Sequence, residues 1–295
     1  MKAVDTRDVL TTACAPLVWG TTYYVSTHWL PSSYPLFIAA MRALPIGFVL
    51  LCIVREFPQG HWWWRSFVLG FFNIGVFFAL LFLAAVRLPG GVAATVGAIQ
   101  PLIVVFLVWG MFAERPSIRT FGLAIIGLLG VGCLVLSSRI RLDGMGIIAA
   151  AAAAGAMALG TVLTKRWGRP VTLFTFTAWQ LVAGGTLLLP VALVVEGVPP
   201  SVTVLHILGF VYLAVINTGL AYAIWFRGIE RLPTTSLPLL GLLSPIMAVS
   251  IGYIVLQQTL SWLQVAGVVL ILGSVVLSQR GGQVAHLRVT DQLAA

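Results

Sequence analysis

Charge is what this chain lacks. Asp, Glu, Lys and Arg make up 8% of its 295 residues, where a soluble domain carries about 25%. So few charges cannot cover a water-facing surface, which excludes an ordinary soluble enzyme or regulatory domain. Carboxylates are scarcest: there are eight, all in loops, in the terminal segments or at the ends of apolar stretches. None sits mid-membrane to carry a proton in the usual way. The histidines His28, His61, His206 and His286 fall in the same kinds of place. The three cysteines, Cys14, Cys52 and Cys133, lie in separate apolar segments with neither metal spacing nor a paired pattern, so they read as packing residues. No metal site and no cofactor are expected. G-x-S-x-G, H-E-x-x-H and P-loop motifs are also absent, and the chain is read as no enzyme.

What is there is apolar: 60% of the residues are hydrophobic. A span needs about 20 mostly apolar residues. Ten stretches qualify, at roughly 9–28, 36–54, 66–86, 91–113, 117–137, 144–164, 172–195, 203–226, 234–256 and 260–279. The breaks between them are short, hold most of the charge and many of the prolines, and leave no room for a soluble domain. The start, MKAVDTRDVL, looks like a signal sequence, but no small-residue cleavage site follows, so it is read as a retained first anchor. The segment from Arg280 onward is polar and is expected to be a poorly ordered tail. The net charge of +9 could indicate nucleic acid. Its distribution points instead to basic cytoplasmic loops. With the N-terminus inside, thirteen Lys and Arg fall on the cytoplasmic side. Only Arg87, Arg139 and Arg141 fall outside, and Arg42 falls within a span. Trp62, Trp63 and Trp64 then lie at the cytoplasmic interface as an aromatic anchor.

The halves align at an offset of 144 residues: FNIGVFFALLFLAAVRLPGGVAATVGAIQP from Phe72 matches INTGLAYAIWFRGIERLPTTSLPLLGLLSP from Ile216. Shared apolar residues mean little in a membrane chain. Asn73 with Asn217, Arg87 with Arg231, Gly97 with Gly241 and Pro101 with Pro245 mean more. Upstream, at slightly smaller offsets, Gly20-Thr21 resembles Gly160-Thr161, and Met41-Arg42 resembles Trp179-Gln180. Each repeat holds five spans, and an odd number inverts the second copy. The fold expected is therefore an all-α membrane protein of ten transmembrane helices, arranged as two inverted five-helix repeats (9–137 and 144–279, with a cytoplasmic tail at 280–295) around a central cavity. Inverted repeats are common in secondary transporters, with substrate near the midplane.

The candidate site follows from this symmetry. Pro101 and Pro245 each leave the carbonyl four residues earlier, on Gly97 and Gly241, without its helical partner. Paired interruptions at corresponding positions point to a transport site, although two plain proline kinks would give the same pattern. Gln100 and Ser244 stand just before the prolines. Asn73 and Asn217 lie mid-span, where an amide serves either the cavity or a helix–helix hydrogen bond. Trp19 and Tyr23, with Phe77, Tyr222 and Trp225, would supply an aromatic wall. Arg42 matches an uncharged residue in the other repeat, which favours a structural role. Glu114 is the single acid placed to take part in coupling, and it is also placed to pair with Arg115 or Arg119.

APLVWGTTYYVS, FIAAMRALPIGFVLL and VAATVGAIQPLIVVFLVWGMFAERPS in the first half resemble EamA-type members of the drug/metabolite transporter superfamily. So do FTAWQLVAGGTLLLP and LGLLSPIMAVSIGYIVLQQTL in the second. The resemblance covers about residues 10–279. It implies ten helices with both termini inside, and a cavity lined by the first, third, fourth, sixth, eighth and ninth. It also implies export of amino acids and other metabolites, often with proton exchange. Family members commonly carry Glu at the ends of the fourth and ninth spans, where this chain has Glu114 but Gln257-Gln258. The function expected is export of amino acids or related small molecules across the plasma (inner) membrane by alternating access. The alternatives are a nucleotide-sugar or lipid-precursor carrier, which would want more basic residues than Arg42, and a non-transporting scaffold or sensor. The expected partners are the small-molecule substrate and the bilayer, with no nucleic acid; the oligomeric state is left open.

Two outcomes are expected. A C-terminal reporter active only outside the membrane gives no signal; a strong signal would overturn the orientation. A Glu114→Gln variant that inserts normally keeps substantial transport; complete loss at normal expression would place that carboxylate in the mechanism.

Overall fold

The structure, a computed structural model, describes residues 5–31, 33–88, 96–112, 117–135, 143–233, 237–255, 257 and 261–294. Glu114 lies outside them. Among the described residues there is no strand. The helices are α1 (Thr6–Gly20), α2 (Thr22–His28), α3 (Pro35–Val54), α4 (Trp62–Gly70), α5 (Phe77–Arg87), α6 (Gln100–Phe112), α7 (Ile118–Val135), α8 (Gly144–Trp167), α9 (Leu173–Val195), α10 (Val204–Tyr212), α11 (Ala221–Arg231), α12 (Leu237–Leu240), α13 (Leu243–Ile254) and α14 (Trp262–Ala294). Two π-helical segments, Phe71–Val76 and Leu213–Leu220, join α4 to α5 and α10 to α11. Among the described residues, six helical stretches are long and apolar enough to cross a membrane; Gln100–Phe112, Ile118–Cys133 and Trp262–Ser278 are shorter apolar helices. Large apolar side chains such as Ile53, Val194 and Val269 stand exposed on the outside, as lipid-facing residues do. This is a multi-pass membrane protein.

The first apolar stretch is not one helix, because α1 ends at Gly20 and α2 starts at Thr22. At the C-terminal end α14 runs on through 280–294, a stretch without proline to stop it.

Packing follows a regular plan. Helix α3 lies against α9, and α7 against α14. Helix α1 packs on α11 and α13, and α8 packs on α5 and α6 in the same way. The first π segment touches α9, and the second touches α3. Exchanging each first-half element for its second-half counterpart reproduces these contacts.

Reciprocal caps hold α3 and α9 end to end. The Glu196 carboxylate, just past α9, accepts from the backbone N–H groups of Leu36 and Phe37 at 2.9 Å each. These are unpaired donors at the start of α3, and the helix dipole favours a carboxylate there. Glu56, just past α3, accepts from the Thr175 hydroxyl at the start of α9 at 2.9 Å. Asp143 caps α8 by accepting from Met145 N–H and Gly146 N–H, and it meets Arg87 at 3.3 Å. The Gly146 and Met145 amides and the Arg87 charge hold its carboxyl below the usual carboxylate range. At the opposite end of the bundle Asp8 on α1 pairs with Arg227 at 2.5 Å and Arg231 at 3.3 Å. At that end the Lys165 ammonium also donates to the carbonyls of Ile229, Glu230 and Leu232, closing the C-terminus of α11.

One close approach depends on glycine. A Cβ on Gly160 of α8 would lie 2.0 Å from Asn73 Oδ1, whereas a Cβ on Gly155 would meet nothing within 4 Å. Gly160→Ala is therefore expected to destabilise the folded protein by about 1–3 kcal/mol. Gly155→Ala is expected to be neutral or slightly stabilising, since Ala is the better helix former. Melting of both variants in one detergent checks this; equal melting temperatures would show that the approach of the first π segment to α8 does not depend on glycine.

Candidate functional site

Both mid-span asparagines lie in the π segments. A π turn carries an extra residue and often marks a functional position. Here it leaves backbone carbonyls to side-chain donors: Asn217 C=O accepts from the Trp19 indole N–H at 2.9 Å, and Asn73 C=O accepts from the Tyr222 hydroxyl at 3.4 Å.

The Asn217 side chain is fully buried and fully used. Its amide N–H group donates to Val18 C=O at 2.9 Å and to the Thr21 hydroxyl at 3.4 Å. Its Oδ1 accepts from the Thr22 hydroxyl at 3.1 Å and from Arg42 Nη2 at 2.6 Å. Arg42 also donates from Nε to the Thr218 hydroxyl at 3.0 Å, and its guanidinium carbon sits 4.4 Å over the Phe78 ring. Arg42 is 2% exposed, so it does not snorkel to the surface. Its hydrogen-bond partners among the described residues are all neutral, and the ring face adds a cation–π contact. Backbone, amide, hydroxyls and guanidinium thus tie α1, α2, α3 and the second π segment together.

The first repeat's asparagine occupies the corresponding place with a weaker set of partners. Asn73 Nδ2 donates to the Thr164 hydroxyl at 3.2 Å and to Gln180 Oε1 at 2.7 Å. Gln180 stands where the other half has Arg42, so the two residues that match in sequence each hold the matching asparagine. Among the described residues Asn73 Oδ1, Gln180 Nε2, Thr161 Oγ1 and Trp225 Nε1 are buried with no hydrogen-bond partner.

Aromatic rings join these two centres. Trp19 lies 5.1 Å from Tyr222 and 5.2 Å from Trp225; Tyr222 lies 5.9 Å from Phe78 and 5.8 Å from Phe226. Tyr222 and Trp225 are 1% exposed, while Trp19 is half-buried. Phe77 is half-buried beside Phe78. The Tyr23 side chain lies outside the described residues.

The chain is interrupted at matching positions on either side. Turns occupy residues 98–99, before α6, and 241–242, between α12 and α13. Pro101 and Pro245 lie in the first turns of α6 and α13, where a missing N–H costs little. The Gly241 carbonyl is not left free, because Ser244 N–H donates to it at 3.1 Å. Gly97, Gln100, Gly241, Ser244 and Pro245 are half-buried and Pro101 is buried. Gln100 and Ser244 form no side-chain hydrogen bond among the described residues. Trp19, Tyr222, Trp225 and Asn217 are brought together, and Asn73 joins them through Tyr222. Reasoning from sequence did not single out Thr22, Thr164 or Thr218, and it read Arg42 as structural without naming its partners or those of Gln180. The available signal was their polarity within apolar spans.

Together, these observations define a multi-pass helical membrane protein with a buried polar centre. The sequence profile of the EamA-like transporter family matches residues 7–136 and again 144–279, and the chain belongs to that family. Similar proteins include Protein PecM of Dickeya dadantii, 45% identical over 90% of each chain. A probable amino-acid metabolite efflux pump of Salmonella typhimurium is 26% identical over 91% of this chain and 93% of its own. One crystal structure matches in fold with a TM-score of 0.78 at 20% identity, covering 93% of this chain and 98% of that one.

Asn217→Ala leaves Arg42 Nη2, the Thr22 hydroxyl and Val18 C=O each short of a partner. The expected loss is about 1–3 kcal/mol of stability, read as a lower melting temperature. The exposed Cys52→Ala should change stability by less than about 0.5 kcal/mol. An Asn217→Ala protein as stable as the parent would show that this centre does not hold the helices together.

Proposed function

We propose that this chain exports small metabolites, amino acids or related molecules, from the cytoplasm by alternating access between two inverted five-helix repeats. The observation that carries the reading is the exchange symmetry of the packing. Helices α1, α11 and α13 form one group, α8, α5 and α6 form its counterpart, and each is centred on a buried asparagine in a π segment. Two equivalent groups hinged on α3 and α9 can tilt against one another and open either end of the bundle in turn. On this reading the spans number ten and both termini are cytoplasmic.

The substrate lies between the groups. Trp19, Tyr222 and Trp225 supply flat apolar walls with polar edges. On this reading Gln100 and Ser244, next to the helix interruptions, and Phe77 also contribute to it. Asn73 and Asn217 shape the site by fixing the helices, and each is one rearranged hydrogen bond from a ligand. The unpartnered indole N–H of Trp225 is a donor awaiting a carbonyl or carboxylate oxygen. With Arg42 as the single fully buried cation among the described residues, the site suits small neutral, zwitterionic or aromatic molecules. The multiple phosphates of a nucleotide-sugar would lack partners.

Cells overproducing the protein should accumulate at least one amino acid or related metabolite outside, several-fold above cells carrying an empty vector. Trp19→Ala, inserted at parental levels, should lower that excess several-fold. An unchanged extracellular metabolite profile with the parent protein correctly inserted would contradict the proposal.

A further inference from the structure

The described arginines at least half withdrawn from solvent are Arg42, Arg65, Arg169 and Arg227. Three of them donate to an oxygen: Arg42 to Asn217, Arg169 to Glu230 and Arg227 to Asp8. Arg65 is different. Its side chain forms no hydrogen bond or ion pair among the described residues, and its Nε is buried without a partner. It stands instead within an aromatic cage, its guanidinium carbon 5.4 Å from the Trp62 ring, 5.6 Å from Trp64 and 5.5 Å from Trp167. Trp64 and Trp167 meet edge to face at 5.1 Å, so the cage bridges the start of α4 and the end of α8. Aromatic faces attract the cation, but they accept none of its five planar N–H donors in the bidentate fashion that guanidinium favours.

The described carboxylates do not meet this need. Asp5, Asp8, Glu56, Asp143, Glu196 and Glu230 are engaged elsewhere, and among the described residues no salt bridge reaches Arg65. The cage sits where two apolar spans, Trp62–Ala84 and Gly144–Trp167, begin and end. That is the depth of the lipid headgroups. Trp63 beside the cage and Trp64 within it are 60% and 52% exposed, as interfacial indoles are, and Arg166, next to Trp167, is exposed.

We infer that Arg65 and its tryptophan cage form a binding site for the phosphate of an anionic phospholipid. The guanidinium takes the phosphate oxygens as a fork, while the indoles accept the glycerol and upper acyl region. The inference is independent of what the protein transports.

The test uses the full chain purified in a neutral detergent and melted with added dioleoylphosphatidylglycerol, dioleoylphosphatidylcholine or inorganic phosphate. Phosphatidylglycerol should raise the melting temperature of the parent by a few degrees beyond phosphatidylcholine, because a ligand bound only to the folded state stabilises it. Inorganic phosphate should not. Arg65→Gln should abolish the difference between the two lipids, Arg65→Lys should keep part of it, and the exposed Arg7→Gln should keep all of it. Several results would overturn the proposal: equal shifts from both lipids in the parent, an Arg65→Gln protein that still prefers phosphatidylglycerol, or inorganic phosphate matching the lipid. If Arg65→Gln does not fold, the parent and Arg65→Lys decide, and a lipid difference in Arg65→Lys as large as the parent's would refute the fork.

Discussion

Everything here depends on one constraint: a polar group inside hydrocarbon must find its partner within the protein. The chain meets it around Arg42 and Asn217. A guanidinium, a carboxamide, three hydroxyls, two backbone carbonyls and an indole N–H are used against one another with almost nothing left over. The arrangement forces α1, α2 and α3 onto the second π segment, and α3 in turn lies along α9. Around Asn73 the same geometry recurs, but Gln180 replaces the arginine and several buried polar atoms lack partners. The two halves of the molecule are alike in plan and unequal in how firmly they are tied.

Much of this was legible in the sequence because the signals are chemical and not merely apolar. The 144-residue offset joined Asn73 to Asn217, Gly97 to Gly241 and Pro101 to Pro245. The elements carrying these pairs occupy matching places: both asparagines in π segments, both glycine–proline stretches at helix interruptions. The looser match of Arg42 with Gln180 identified two residues that each grip the corresponding asparagine. The first apolar stretch, by contrast, is interrupted at Thr21, which hydropathy cannot see.

The π segments were not legible. One extra residue in a turn leaves hydropathy unchanged, since every neighbour is apolar in any case. The roles of Asn73 and Asn217 were ambiguous for a related reason: an amide in a span serves a ligand or a neighbouring helix, and only coordinates name its partners. Both amides hold helices, while Trp19, Tyr222 and Trp225 gather beside them. Arg42 was read as structural from its uncharged counterpart, but its partners could not be named from the sequence. Its burial and its three contacts make it the centre of the better-tied half.

The central claim is that the α1–α11–α13 group and the α8–α5–α6 group move against each other about α3 and α9. Distances between spin labels in membrane-embedded protein test it most directly. One pair, at His28 and Met145, reads one end of the bundle; the other, at Arg7 and Arg166, reads the opposite end. The account predicts at least two distances for each pair, with conditions that lengthen one shortening the other. A single unchanging distance at both ends, in protein that exports its substrate, would contradict it.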